Sequence, residues 1–145
     1  MVSKIFVDSD VIIDFFTDRE PFVNSASELL DLNEKGLVKL HMSAVSINNI
    51  YYIVRKYLGH KKTLEVVEEL LEMAEVIGTT KREMSQALKN DFKDYEDSVQ
   101  YSTALTIKGL EAIITRNVKD YRNSEIAVFT PTSYLKMKKK KKDES

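Results

Sequence analysis

Four short apolar segments rich in β-branched residues recur along this chain, and amphipathic stretches of helical period fill the intervals between them. The strand-like segments are KIFV (4–7), LVKLHM (37–42), EAIIT (111–115) and EIAVFT (125–130), with EVIG (75–78) as a fifth. One helix is marked by Val23, Ala26, Leu29, Leu30 and Leu32 and ends near Gly36. A second, 45–58, carries Ile47, Ile50, Tyr51 and Val54 on one face and stops at Gly59. A third, 62–73, is expected to bury Leu64, Val67, Leu70 and Leu71, and a fourth covers 81–89. The fifth, 95–108, repeats at Val99, Ala104, Leu105 and Ile107 before Gly109. Strands separated by helices of this length cannot pair as hairpins. They predict a three-layer α/β/α sandwich around a central parallel sheet of four or five strands.

In open sheets of that kind, ligands bind beyond the carboxyl ends of the strands, where the strand order reverses. Strand ends are therefore the places to search, and acids stand there. Asp8 follows the first strand, with Asp10 and Asp14 close behind. An Asp at that point can N-cap the next helix, and so can Asp10, but one helix needs one cap. Asp14, inside the helix, reads as an ordinary solvated residue. The segment NDFKDYEDSVQYSTAL (90–105) holds Asp91, Asp94, Glu96 and Asp97, more acids than a helix start requires. After the fourth strand come Thr115, Asn117 and Asp120, again a plausible cap pair and again at a strand end. Three chain crossings thus bring side-chain oxygens to one sheet edge. Carboxylates gathered there repel, and a hard divalent cation such as Mg²⁺ or Mn²⁺ removes that cost while leaving waters for a phosphate substrate. His41, in a strand, and His60, in a turn, offer no zinc site without cysteine.

Composition narrows the setting. A chain of 145 residues without cysteine is the size of one domain and carries neither disulfides nor thiolate metal ligands. No apolar run approaches the ~20 residues of a membrane span, and Asp8, Asp10 and Asp14 interrupt the first apolar stretch, so a cytoplasmic protein without a membrane role is expected. The net charge of −1 conceals an asymmetry: Lys136 and Lys138 to Lys142 are six of the 22 basic residues. The division expected is a single domain over 1–135 and a lysine-rich, disordered tail over 136–145, which could hold nucleic acid or simply be solvated.

In their order and content, KIFVDSDVIIDFF, SAVSINNIYYIVRK, DYEDSVQYSTAL and AIITRNVKDY resemble the PIN domain family, the fold of many VapC-type toxins and other metal-dependent ribonucleases. The resemblance covers nearly the whole body of the chain. It implies a PIN-like sandwich in which Asp8 and Asp97 hold Mg²⁺ or Mn²⁺, with Asp120 supporting, and Asn117 fills a further polar position. Asp10, Glu96 and Thr115 take supporting roles. Where the family usually carries a Glu in the helix after strand two, this chain has Asn49, which would orient the attacking water or a phosphate.

Those expectations amount to an endoribonuclease acting on single-stranded or looped RNA, with Arg55, Lys56, Arg116 and Lys119 at the rim for the phosphate backbone. The same resemblance implies a small antitoxin as partner and a homodimer. An alternative is a catalytically weakened PIN-like module that binds RNA or protein, because Asn49 and Asn117 bring no charge. A phosphatase of the haloacid dehalogenase type would use DSDV (8–11), with Asp8 as nucleophile, but the chain is short for that fold. A response-regulator receiver needs an acid after strand three, where Gly78, Thr79 and Thr80 stand instead.

Overall fold

A computed structural model describes residues 2–144. Its five strands are β1 (Ser3–Val7), β2 (Val38–Ser43), β3 (Glu75–Ile77), β4 (Leu110–Ile114) and β5 (Val128–Phe129). All neighbouring pairs are parallel, in the order β3-β2-β1-β4-β5. From β1 the chain first builds outward through β2 and β3, then returns to build the other side with β4 and β5. The order therefore reverses between β1 and β4, and a crevice opens beyond their carboxyl ends.

Alternation along the strands sorts the two faces. Ile5 and Val7 on β1, Leu40 and Met42 on β2, and Ala112 and Ile114 on β4 join one core. Helices α1 (Ser9–Phe16), α2 (Val23–Glu34), α3 (Ala44–Met73) and α6 (Pro131–Glu144) contribute Val11, Ile12, Leu29, Ile50, Leu70 and Tyr134 to it. The intervening Phe6 and Ile113 face the opposite way, into a smaller core with Tyr101, Ala104 and Tyr121. Tyr101 and Ala104 come from α5 (Tyr95–Ala104), against which α4 (Lys81–Ala87) packs. Full burial of a side chain such as Phe6 contributes about 1.5–3 kcal/mol. The result is the expected three-layer sandwich with a parallel sheet.

As expected, the helix after β2 stops at Gly59, whose φ of +79° and ψ of 169° suit glycine alone, so 44–58 and 60–73 form a bent pair within α3. Two expectations change. In the second half of α3, Thr63, Val66 and Leu70 are buried while Leu64 and Leu71 are 47% and 55% exposed. The bend rotates the inward stripe away from the two leucines that composition favoured. The lysine-rich end, expected to be disordered from Lys136, instead continues α6 through Glu144. Tyr134 and Leu135 bury the first half of that helix, and Lys138 fastens the second with an ion pair to Glu111 at 3.1 Å. Ser145 lies outside the described residues. Among the described residues no helix is long and apolar enough to cross a membrane.

Candidate active site

At the floor of the crevice β1 and β4 stay in direct backbone contact, since the Asp8 N–H donates to the Ile114 carbonyl at 2.9 Å. Asp8 is the N-cap of α1, and its Oδ1 accepts from the Ser9 N–H at 2.8 Å. Its other oxygen, Oδ2, accepts from Thr115 Oγ1 at 3.0 Å and from the Tyr121 hydroxyl at 3.3 Å. Three donors from three chain segments thus fix one carboxylate that is 8% exposed. Burial pushes its pKa up against those hydrogen bonds, and the Asp120 charge adds to the rise.

Asp10, in the first turn of α1, ties down the loop that leaves β4. Its Oδ2 accepts from the Arg116 N–H at 3.1 Å and from Thr115 Oγ1 and Asn117 Nδ2 at 3.3 Å each. Thr115 therefore has one hydroxyl proton for two carboxylates. The Asp10 Oδ1 atom is buried with no partner. Burial first, and the Asp8 charge second, raise the Asp10 pKa to about 7.

Asp97 arrives from the opposite face, in the first turn of α5. Its pKa is likewise raised to about 7, by burial and then by the charges of Asp8, Asp94, Asp120 and Glu96. Acids far apart along the chain therefore share one electrostatic environment. Asp120 enters from the 3-10 turn Val118–Tyr121 that follows Asn117. Neither Asp94 nor Asn117 makes the side-chain cap that would give it a purely local role.

Two further groups hold the frame. Asn49, on α3, donates from Nδ2 to Glu96 Oε1 at 2.5 Å, so both sequence candidates meet each other. Beneath them, the buried Gln100 accepts from Ser43 Oγ and donates to Ser46 Oγ, each at 2.7 Å. That network joins the start of α3 to α5, one turn below Asn49 and Asp97. Asp14 corrects the expectation of a solvated residue. It is 1% exposed and ion-paired with Arg116, Nε to Oδ2 at 2.7 Å, while the guanidinium lies 4.3 Å from the centre of the Phe22 ring. Arg116, expected at the RNA backbone, is thereby engaged inside the fold. Arg55, Lys56 and Lys119 are exposed, Arg55 resting against the rings of Tyr51 and Tyr52. The sequence reading missed Tyr121 as a site residue, although an aromatic one position after Asp120 on a 3-10 turn has to turn inward. His41 is buried and bonded to the Lys39 carbonyl, and His60 meets the Tyr51 hydroxyl, so both are structural.

The donors of this crevice are all oxygens, and among the described residues no lysine or arginine is ion-paired with Asp8, Asp10, Asp97 or Asp120. Among those residues no three acids or histidines are already gathered as an ion cage. Mg²⁺ takes oxygen ligands, usually one or two carboxylates with several waters.

A parallel sandwich with acids from three chain segments at its reversal point is the arrangement that the PIN resemblance implies. The family model described as PIN domain matches residues 4–119, and the chain belongs to that family. Among characterised proteins, it is similar to Ribonuclease VapC1 of Aquifex aeolicus, 29% identical over 136 residues, with 90% of this chain and 92% of the relative covered. The fold matches the toxin-antitoxin complex from Klebsiella pneumoniae at a TM-score of 0.64 and 23% identity, covering 88% and 97% of the two chains. It also matches the DNA-bound VapBC complex from Salmonella typhimurium at 0.65 and 20%, covering 90% and 99%.

Proposed function

We propose that this chain is a divalent-metal-dependent endoribonuclease of the VapC type, the toxin of a toxin–antitoxin pair. One observation carries the reading: Asp8, Asp10 and Asp97 are held at the sheet's reversal point with raised pKa values, and among the described residues no lysine or arginine is ion-paired with them. Likeness to a named ribonuclease over nine-tenths of the chain supports the RNA substrate.

Asp8 and Asp97 would hold Mg²⁺ or Mn²⁺, with the Asp120 charge nearby in support. When bound, the ion would polarise a phosphoryl oxygen and make water nucleophilic near neutral pH. Thr115 and Tyr121 occupy the Asp8 Oδ2 lone pairs and fix the carboxylate's orientation, which leaves a lone pair of Oδ1 for the ion. Asp10 holds the Arg116–Asn117 backbone turn against α1, which keeps Asn117 at the rim. Asn49 fixes the Glu96 carboxylate beside Asp97, so a helix without its own acid still places one at the crevice. Arg55, Lys56 and Lys119 would meet the RNA backbone, whereas Arg116 is occupied by Asp14. An antitoxin segment would cover the crevice, and pairing with a second copy would complete the assembly in the cytoplasm.

The test is cleavage of a fluorescent single-stranded RNA by purified protein. Mg²⁺ or Mn²⁺ should support cleavage and a chelator abolish it, while Asp97→Asn should lower the rate by at least about 100-fold, the scale of losing one electrostatic stabiliser of the transition state. Cleavage that survives both chelation and Asp97→Asn overturns the assignment.

A further inference from the structure

The carboxylate crevice poses a problem for an RNA-processing protein. The chain up to Leu135 holds 16 basic and 21 acidic residues, and acids gather beyond the carboxyl ends of β1 and β4. A polyanion approaching that end meets those acids with only Arg55, Lys56 and Lys119 at the rim to offset them, so further binding energy has to come from elsewhere. The longest run of positive charge lies at the opposite end of the sheet. Helix α6 starts after β5, at the carboxyl edge, and runs back until Lys138 Nζ reaches Ser3 Oγ at 2.6 Å and Glu111 Oε2 at 3.1 Å, at the starts of β1 and β4. Beyond that anchor Lys139, Lys140, Lys141 and Lys142 are exposed. Lys4, at the start of β1, spans the same edge to the Lys108 carbonyl at 2.9 Å. Between α2 and α6 a cavity of about 460 Å³ is lined by Lys35, Lys138, Lys139 and Lys142, with Glu28 and Asp31 as its acids. Among the described residues Lys136, Lys139, Lys140 and Lys141 have no ion-pair partner.

The α6 lysines and Lys35, which caps the end of α2, line one corner, so they form a surface of the folded molecule and not a loose tail. A five-residue strand separates the two ends by about 17 Å, well over the Debye length of about 8 Å at physiological salt. The basic corner therefore acts without being cancelled by the acids of the crevice.

We propose that the α6 corner is an RNA-binding surface that takes the phosphate backbone of substrate flanking the cleavage point. It rests on the nuclease reading and narrows the substrate class. At about 3.4 Å per stacked nucleotide, a strand held at the corner needs at least roughly five nucleotides to reach Asp8. The preferred substrate has a single-stranded flank of that length or more. Contact is to phosphates, so it is charge-dependent and indifferent to sequence.

The test measures binding separately from cleavage. Fluorescence anisotropy in chelator, with a labelled RNA of about 20 nucleotides, is compared for the natural chain, the triple variant K139Q/K140Q/K141Q and the charge-preserving K139R/K140R/K141R. The Gln variant should bind roughly 10- to 100-fold more weakly near 0.1 M salt, and the slope of log affinity against log salt should fall by about 2, at 0.7 per lost phosphate contact. The Arg variant should bind like the natural chain, with circular dichroism confirming α6 in all three. Unchanged affinity and slope in the Gln variant overturn the proposal, as does equal loss in the Arg variant. Lysine-dependent capture on phosphatidylserine vesicles without lysine-dependent RNA binding also overturns it. Lysine-dependent RNA binding by a chain that cleaves no RNA under any metal keeps this surface and removes the nuclease reading instead.

Discussion

The single carboxylate of Asp8 gathers more of the fold than any other side chain in the crevice. Ser9, Thr115 and Tyr121 all donate to it, and the last two lie 107 and 113 positions away. Tyr121→Phe leaves the ring in its core and removes one donor, so it should lower stability by about 1 kcal/mol, measured by urea unfolding, and slow cleavage at unchanged metal concentration. The raised pKa values of Asp10 and Asp97 have a sign that can be worked out. Both stand at about 7 in the folded chain against 3.8 ordinarily. Between those values the folded state binds more protons than the unfolded one, so stability is fullest below about pH 4 for these groups and is lost as pH rises through 7. Without divalent metal, the melting temperature should therefore fall between pH 5 and pH 8. Asp97→Asn should flatten that fall, and an equally steep fall in the variant would rule out Asp97 as its source.

At the scale of elements, buried polar contacts join α3 to α5. Gln100 with Ser43 and Ser46 forms a satisfied network, and such networks are costly when broken. Gln100→Leu leaves two buried hydroxyls with fewer partners and should destabilise the chain by about 2 kcal/mol in denaturant unfolding. It should also lower activity more than its stability loss explains, because Asn49 and Glu96 lose their common reference. The sequence showed the strands and most helices well, since period-two and period-3.6 patterns are local. Strand ends led directly to Asp8 and Thr115, and the acid-led helix start to Asp97. It did not show the buried stripe of 60–73, which depends on the bend at Gly59, nor the pairing of Asp14 with Arg116, which lie 102 residues apart. Nor did it show that α6 stays folded: a lysine run reads as solvated until Glu111 and Ser3 are seen beneath it.

For the molecule as a whole, stability should be graded across the sheet. The central strands β1, β2 and β4 are largely buried, while β3 and β5 have three and two residues and partly exposed side chains. Hydrogen-exchange mass spectrometry should find Ile5, Phe6, Leu40 and Ile113 among the slowest amides and 75–77 and 128–129 exchanging early, because edge pairs open without global unfolding. Early exchange at β1 would mean that the sheet is not the last element to open. The central position of β1 also bears on synthesis. Tyr121, the hydroxyl partner of Asp8, follows it 113 positions later, after Asp97 and Thr115. The acidic crevice therefore stays incomplete during synthesis until the chain through Tyr121 has emerged, so its assembly waits on translation order and not on any single local segment.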